Sequence, residues 1–255
     1  MLLDHPRITE RLFFPRKQPL AHPFRVPCPG AELACHHQVA GPPGGHSGKR
    51  RTFIHFHGNG EVVADYVPDH ADAMVELGVD VFFAEYRGYG GSTGKPGLSS
   101  IPDDVDAIVA ALGQPALQLI VYGRSLGSLY AVELAHRHPG VAGLIIESGI
   151  ADVLERLLVR VRPDELGVTR DELAATVSKH FDQQRKIAGY GGRLLIMHAK
   201  DDEILDVSHA RRNHAWSASP QKQLVLFERG GHNALLSTNW PQYLDTLRRF
   251  IAAIE

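Results

Sequence analysis

The sequence predicts an α/β protein built on a mostly parallel central sheet of about eight strands, antiparallel at the start, with helices on both faces and a short helical cap. Two observations predict it. Short β-branched or apolar runs alternate with longer stretches whose apolar residues recur at helical spacing, which is the pattern of βαβ units. The 255 residues, 44% hydrophobic and 22% charged, also suit a single domain over 1–255 that buries enough surface to need neither disulfides nor a structural metal.

Taken in order, Val26–Cys28 and Leu33–Val39 read as an antiparallel hairpin around Pro29-Gly30-Ala31-Glu32. If Ala31-Glu32 is the two-residue loop, Cys28 and Cys35 face each other across it and a disulfide is geometrically open. The start MLLDHPRITERLFFPRK has no apolar h-region, so reduced thiols and a cytoplasmic location are the expectation. The Gly- and Pro-rich stretch 40–50 reads as a surface loop. Parallel strands follow at Thr52–Phe56, Val79–Ala84, Leu117–Tyr122, Val141–Ile146, Leu194–His198 and Gln223–Phe227. Between and after them, Pro68–Leu77, Asp103–Leu112, Leu126–His136, Val207–His214 and Trp240–Ile254 supply helices, as right-handed crossovers require. Residues 151–192 interrupt the alternation. Leu154, Leu157, Leu158 and Val161, then Leu173, Val177 and Phe181, keep helical spacing, so short amphipathic helices broken at Pro163 form the cap.

Several function classes lack their signature. Lys and Arg number 27 against 29 Asp and Glu, for a formal charge of −2 without a basic block, so no nucleic-acid partner is expected. No apolar run reaches the length of a membrane span. The fifteen histidines form no zinc pattern, and neither metal nor cofactor is called for.

The pattern G-x-S-x-G occurs twice, at Gly123-Arg124-Ser125-Leu126-Gly127 and at Gly90-Gly91-Ser92-Thr93-Gly94. A nucleophilic serine of this kind needs a strand, a tight turn and a helix, because the turn holds the hydroxyl exposed at the strand end. LQLIVY before Gly123 and LGSLYAVELAHRH after Ser125 supply both, whereas Ser92 lies in a glycine-crowded loop closed by proline. Ser125 is therefore the candidate nucleophile. The helix behind it offers unpaired N–H groups and a positive dipole end, with Leu126 N–H as the first oxyanion donor.

A base is expected beyond the last strand, where Arg229-Gly230-Gly231-His232-Asn233 follows on a glycine-freed loop, so His232 is the candidate. The acid should follow Leu194–His198, where Asp201, Asp202, Glu203 and Asp206 compete and the spacing does not separate them. The order Ser, acid, His along the chain suits this architecture. A second oxyanion donor is expected after the third strand in Phe56-His57-Gly58-Asn59-Gly60. Asn59 is the assignment and Gly60 the alternative.

Four blocks carry a resemblance: HFHGNG at 55–60, EYRGYGGSTGKP at 85–96, YGRSLGS at 122–128, and MHAKDDEILD at 197–206 with GGHNAL at 231–236. In that combination the chain resembles the α/β-hydrolase superfamily from about Phe24 onward, and within it the esterase group of ABHD13/ABHD17 and Bem46-like proteins. The resemblance implies the α/β-hydrolase fold, selects Asp202 as the acid four residues after His198, and makes the block around Ser92 structural. It also implies hydrolysis of a carboxylic ester or thioester through an acyl-enzyme, on a small-molecule acyl substrate. A peptidase, amidase or lyase on the same scaffold, and a catalytically silent binding protein, are the alternatives. Two departures stand out: Asn59-Gly60-Glu61 where relatives often have Asn-Ala-Gly, and Ala199 where they usually have glycine. The cap's leucines and valines either line an acyl pocket or pack onto the core, and Arg156, Arg160 and Arg162 either meet an anionic substrate or remain solvated.

Overall fold

The computed structural model describes residues 1–41 and 50–254. Its strands are β1 (Phe24–Cys28), β2 (Ala31–Gln38), β3 (Thr52–Phe56), β4 (Asp80–Ala84), β5 (Leu119–Arg124), β6 (Gly143–Glu147), β7 (Arg193–Ala199) and β8 (Lys222–Phe227). They form one sheet in the order β1-β2-β4-β3-β5-β6-β7-β8. β2 pairs antiparallel with β1 and with β4, and each pairing from β4 to β8 is parallel. The helices are α1 (Pro6–Leu12), α2 (Asp69–Val75), α3 (Ile101–Leu112), α4 (Gly127–Arg137), α5 (Val153–Leu158), α6 (Arg170–His180), α7 (Gln183–Ala188), α8 (Ser208–Trp216), α9 (Leu235–Thr238) and α10 (Trp240–Ala252).

The central strands are buried on both faces, which is why they read as continuous apolar runs and not as alternations. Alternate residues go to opposite cores. Ile54, Val121, Leu144 and Ile196 join the core under α3 and α4, with Val105, Ile108, Leu129 and Leu134. Phe53, Ile120, Ile145 and Leu195 join the other, with Ala71 and Met74 of α2 and Tyr243, Leu247 and Phe250 of α10.

Two open readings are decided. The hairpin turn is Pro29-Gly30, so Cys28 stands opposite Ala31 and Cys35 opposite Phe24. Gly30, at φ +74°, takes the left-handed position that a tight turn requires, and both cysteines are free. Secondly, helices form within 151–192, and of the two destinations open to their apolar residues the main core is the one taken by Leu157, Val161, Leu173, Val177 and Phe181. Local chemistry fixes these helices: Asp152 and Asp182 accept the N–H groups of Glu155 and Arg185, each at 2.9 Å, and Thr169 and Glu172 form a capping box. Most of the stretch expected as a surface loop, residues 42–49, lies outside the described residues.

The N-terminal 23 residues are also structured. His5 caps α1, Pro6 opens it, and Leu3, Ile8 and Phe13 are buried. Seven residues are too short a helix to show a periodicity in the sequence.

Candidate active site

β5 ends in a sharp bend at Ser125, whose φ of +51° lies in the left-handed region that non-glycine residues avoid. The bend is held from two sides. Ser125 N–H donates to the Glu147 carbonyl at 2.9 Å, and the Ser128 hydroxyl donates to the Ser125 carbonyl at 2.6 Å. The flanking glycines are required by close packing. A Cβ at Gly123 would run into the Gly127 carbonyl and Ala131, and one at Gly127 into the Phe56 and His57 carbonyls. The other serine of the repeated pattern is used structurally: Ser92 is buried, and its Oγ accepts the Ala34 N–H at 2.9 Å.

Ser125 Oγ lies 2.9 Å from His232 Nε2, and His232 Nδ1 lies 2.8 Å from Asp202 Oδ2. Residues 107 and 30 positions apart thus converge at the carboxyl edge of the sheet, where open α/β sheets place their ligands. The four competing acids separate by what they touch. Asp201 accepts the Gly231 N–H at 2.8 Å and Glu203 the His232 N–H at 3.1 Å, so both shape the histidine's loop. Asp206 accepts the Ser208 N–H at 2.9 Å at the start of α8. Only Asp202 faces the imidazole, and its other oxygen accepts the N–H groups of Ile204 and Leu205 at 2.9 and 2.8 Å. Burial opposes its ionisation, but hydrogen bonds from His198, His232 and the Leu205 N–H outweigh it and hold the carboxyl well below the usual carboxylate range. His198, fully buried, places Nε2 2.8 Å from the Leu205 carbonyl and 3.3 Å from Asp202 Oδ2.

The backbone N–H groups of Asn59 and Leu126 have no acceptor among the described residues, and both residues line the cavity that contains Ser125. The turn carrying Asn59 is braced by the block around residues 85–89. His57 Nε2 lies 2.8 Å from Glu85, the Tyr86 hydroxyl donates to the His57 carbonyl at 2.6 Å, and Tyr89 donates to Asn59 Oδ1 at 2.7 Å. Burial works against a charged His57, but the Glu85 carboxylate prevails and raises its pKa.

Glu61, the departure in this turn, has a buried partner. Its carboxylate accepts the Gly58 N–H at 2.5 Å and the Tyr66 hydroxyl at 2.6 Å, and pairs with Arg124. Arg124, one residue before the serine, also donates to the His232 carbonyl at 2.7 Å and to Asn233 Oδ1 at 3.0 Å, and lies 3.4 Å from Glu147. The Glu61 carboxyl is lowered by Arg124 despite burial, and the guanidinium is raised in turn. One ionic network therefore joins the turn of Asn59, the bend of Ser125 and the loop of His232. Sequence reasoning missed it, because 63 residues separate Arg124 from Glu61.

The cavity at Ser125 holds about 40 Å³. Its apolar walls are Leu12, Leu126, Ile150 and Leu205, and Arg156 and Arg160 complete it. The N-terminal segment closes one side: Asn59 Nδ2 donates to the Leu12 carbonyl at 2.5 Å, and Phe14 N–H donates to Asn59 Oδ1 at 2.9 Å. Arg162 pairs with Asp164 at 3.1 Å and does not line the cavity. Among the described residues no group of three or more His, Cys, Asp or Glu could hold a metal ion, and no helix is long and apolar enough to cross a membrane.

A family model described as "Serine aminopeptidase, S33" matches residues 47–187, more than half of the chain. Alpha/beta hydrolase domain-containing protein 17B of Xenopus laevis is 28% identical over 205 residues, covering 79% of this chain and 66% of that protein. Protein 17C of Homo sapiens is 28% identical over 208 residues, covering 80% and 58%. The chain thus spans less than two thirds of the length of these relatives. Among solved structures, Est1E from Butyrivibrio proteoclasticus with bound ferulic acid superposes with a TM-score of 0.73 at 17% identity, over 91% of this chain and 98% of that one. A monoacylglycerol lipase from Paleococcus ferrophilus gives 0.67 at 14% identity, over 88% and 99%. These two share the fold. With its sheet order, its strained serine and its family match, the chain belongs to the α/β-hydrolase family of the serine aminopeptidase S33 description.

Proposed function

We propose that the protein is a serine hydrolase that cleaves a carboxylic ester or thioester with a short acyl group through an acyl-enzyme. The observation that carries the reading is the relay from Ser125 Oγ through His232 to Asp202, at 2.9 and 2.8 Å. Ser125 donates its proton to His232 Nε2 as it attacks the acyl carbonyl, and Asp202, which stays ionised, accepts a hydrogen bond from His232 Nδ1–H, fixing the tautomer and stabilising the imidazolium. The N–H groups of Leu126 and Asn59 receive the oxyanion; a single such donor is typically worth about 100- to 1,000-fold in rate. His232 returns the proton to the leaving group, and water then releases the acyl group by the same steps. On this reading the cap spanning about 151–192 belongs to one hydrolase domain.

Aminopeptidase activity, which the family description names, asks for a carboxylate to hold the substrate's ammonium group. The cavity at Ser125 is lined by two arginines and by no aspartate or glutamate, which favours an ester or thioester. Its 40 Å³ is small against the roughly 300–1,000 Å³ of drug-sized ligand sites, which favours a short acyl chain.

The test is fluorophosphonate labelling of the wild type and Ser125→Ala, with ester kinetics over graded acyl lengths. Labelling is expected to vanish in the variant, and acetyl and propionyl esters should outrun octanoyl ones. Labelling retained in Ser125→Ala would overturn the nucleophile, and a flat length profile would overturn the small acyl site.

A further inference from the structure

Arg156 and Arg160 stand four residues apart, one in α5 and the other just beyond it, so their side chains share a face although like charges at that spacing repel. Neighbouring arginines resolve such conflicts by pairing. Arg212 takes Glu155 at 2.8 Å, Arg11 takes Glu165 at 2.8 Å, and Arg162 takes Asp164 at 3.1 Å. Neither Arg156 nor Arg160 pairs with a carboxylate among the described residues. Arg156 donates to the Ile204 carbonyl at 3.0 Å, and the Arg160 guanidinium lies 5.4 Å from the centre of the Phe14 ring. Partial burial and the adjacent Arg160 depress the Arg156 pKa against the opposing carboxylates of Glu155 and Asp202, and a bound anion would favour the charged guanidinium. Both arginines line the cavity that holds Ser125, and among the described residues its remaining walls supply no carboxylate.

We propose that Arg156 and Arg160 bind an anionic group of the substrate, a carboxylate or phosphate, next to the carbonyl that Ser125 attacks. The inference rests on the reading of Ser125 as nucleophile and narrows its substrate to short esters or thioesters that carry such an anion. Guanidinium donors match two-oxygen anions in geometry as well as charge. The apolar walls then take the few carbons between anion and carbonyl. The anion can lie on the acyl side or on the leaving group, and either places it in the same cavity.

The experiment compares matched ester pairs. For the acyl side these are p-nitrophenyl hemiglutarate and its neutral methyl ester; for the leaving group, 4-acetoxybenzoate and its neutral methyl ester. Wild type is expected to prefer the anionic member of at least one pair by about tenfold or more in kcat/KM, and the preference should fall as sodium chloride is raised. In the Arg156→Gln/Arg160→Gln double variant the ratio should collapse toward one, while Arg162→Gln keeps the wild-type ratio. An absent preference in both pairs, or one that survives the double substitution, overturns the anion site. If Ser125 is labelled and neutral esters turn over, that failure is confined to the anion site. Loss of labelling together with all turnover would overturn the hydrolase reading, and this inference with it.

Discussion

Replacing Arg124 by methionine tests whether the buried ionic network sets the geometry of the site. The side chain is 10% exposed and faces two carboxylates, Glu61 and, at 3.4 Å, Glu147. Removing one partner of a buried ion pair typically costs about 3–5 kcal/mol, because a charge is left without compensation. Here each carboxylate keeps two other donors: Gly58 N–H and the Tyr66 hydroxyl for Glu61, and the Tyr122 and Tyr243 hydroxyls for Glu147. That places the cost near the lower end, about 3 kcal/mol. In a chain of this size each kcal/mol moves Tm by about 2–4 °C, so Arg124→Met should melt roughly 6–12 °C below wild type. Adding Glu61→Gln removes one stranded charge and should restore part of the loss, which a double-mutant cycle reads directly. Activity falls for a second reason. The His232 carbonyl and Asn233 lose their guanidinium donor, and a displacement of about 1 Å in a catalytic group can cost about 100-fold. Chemical denaturation and ester kinetics on the same samples suffice. If Arg124→Met unfolds within about 1 kcal/mol of wild type and turns over within threefold of it, the network does not hold the base in place.

Gly127→Ala should unfold the protein or destabilise it by more than about 3 kcal/mol, since its methyl group meets backbone carbonyls that cannot swing aside; a wild-type denaturation midpoint would contradict this. Asp202→Asn should lower kcat by up to about 10,000-fold, and near-full activity would remove Asp202 from the relay. The His57–Glu85 pair gives a pH signature. His57 is raised by its carboxylate partner, so the pair's stabilisation is complete below the ordinary histidine value of about 6.5 and is lost as pH climbs through the raised one. The stability gap between wild type and His57→Gln should therefore narrow as pH climbs above about 6.5 in denaturation curves, and a constant gap would exclude a charged pair.

The sheet was legible because strands buried on both faces must be apolar throughout, and the glycines around Ser125 were legible because helix α4 packs so close to β5 and to the end of β3 that no side chain fits. Boundaries moved by a few residues where tertiary contacts extend an element. β5 runs through Arg124 and β6 through Glu147, polar residues held inside by each other. The acid was not separable from residues alone: Asp201 and Glu203 also hydrogen-bond to the loop of His232, and only the third dimension shows which carboxylate faces the ring. In the cap, leucine spacing predicted helices but not their destination. The same amphipathic stripe serves a pocket or a core, and here Leu157 and Leu173 chose the core while the arginines took the pocket.

This division of labour has an energetic consequence. The serine bend, the turn of Asn59 and the loop of His232 are fixed by buried hydrogen bonds and by the network of Arg124, where a lost partner is costly. The wall opposite them is assembled from Leu12 of the N-terminal segment and Arg156 and Arg160 of the cap region. These two pieces meet through Arg11 and Glu165, through Arg160 over Phe14, and through Leu3, Ile8 and Phe13, which are buried in the same core as Leu157, Leu173 and Val177. The groups proposed to react are thus held by buried polar contacts, while the wall proposed to select the substrate rests on apolar packing and carries two arginines that pair with no carboxylate among the described residues. On the proposed reading, substitutions of Arg156 and Arg160 should change substrate preference at smaller cost in stability than substitutions in the network, which should disturb stability and catalysis together.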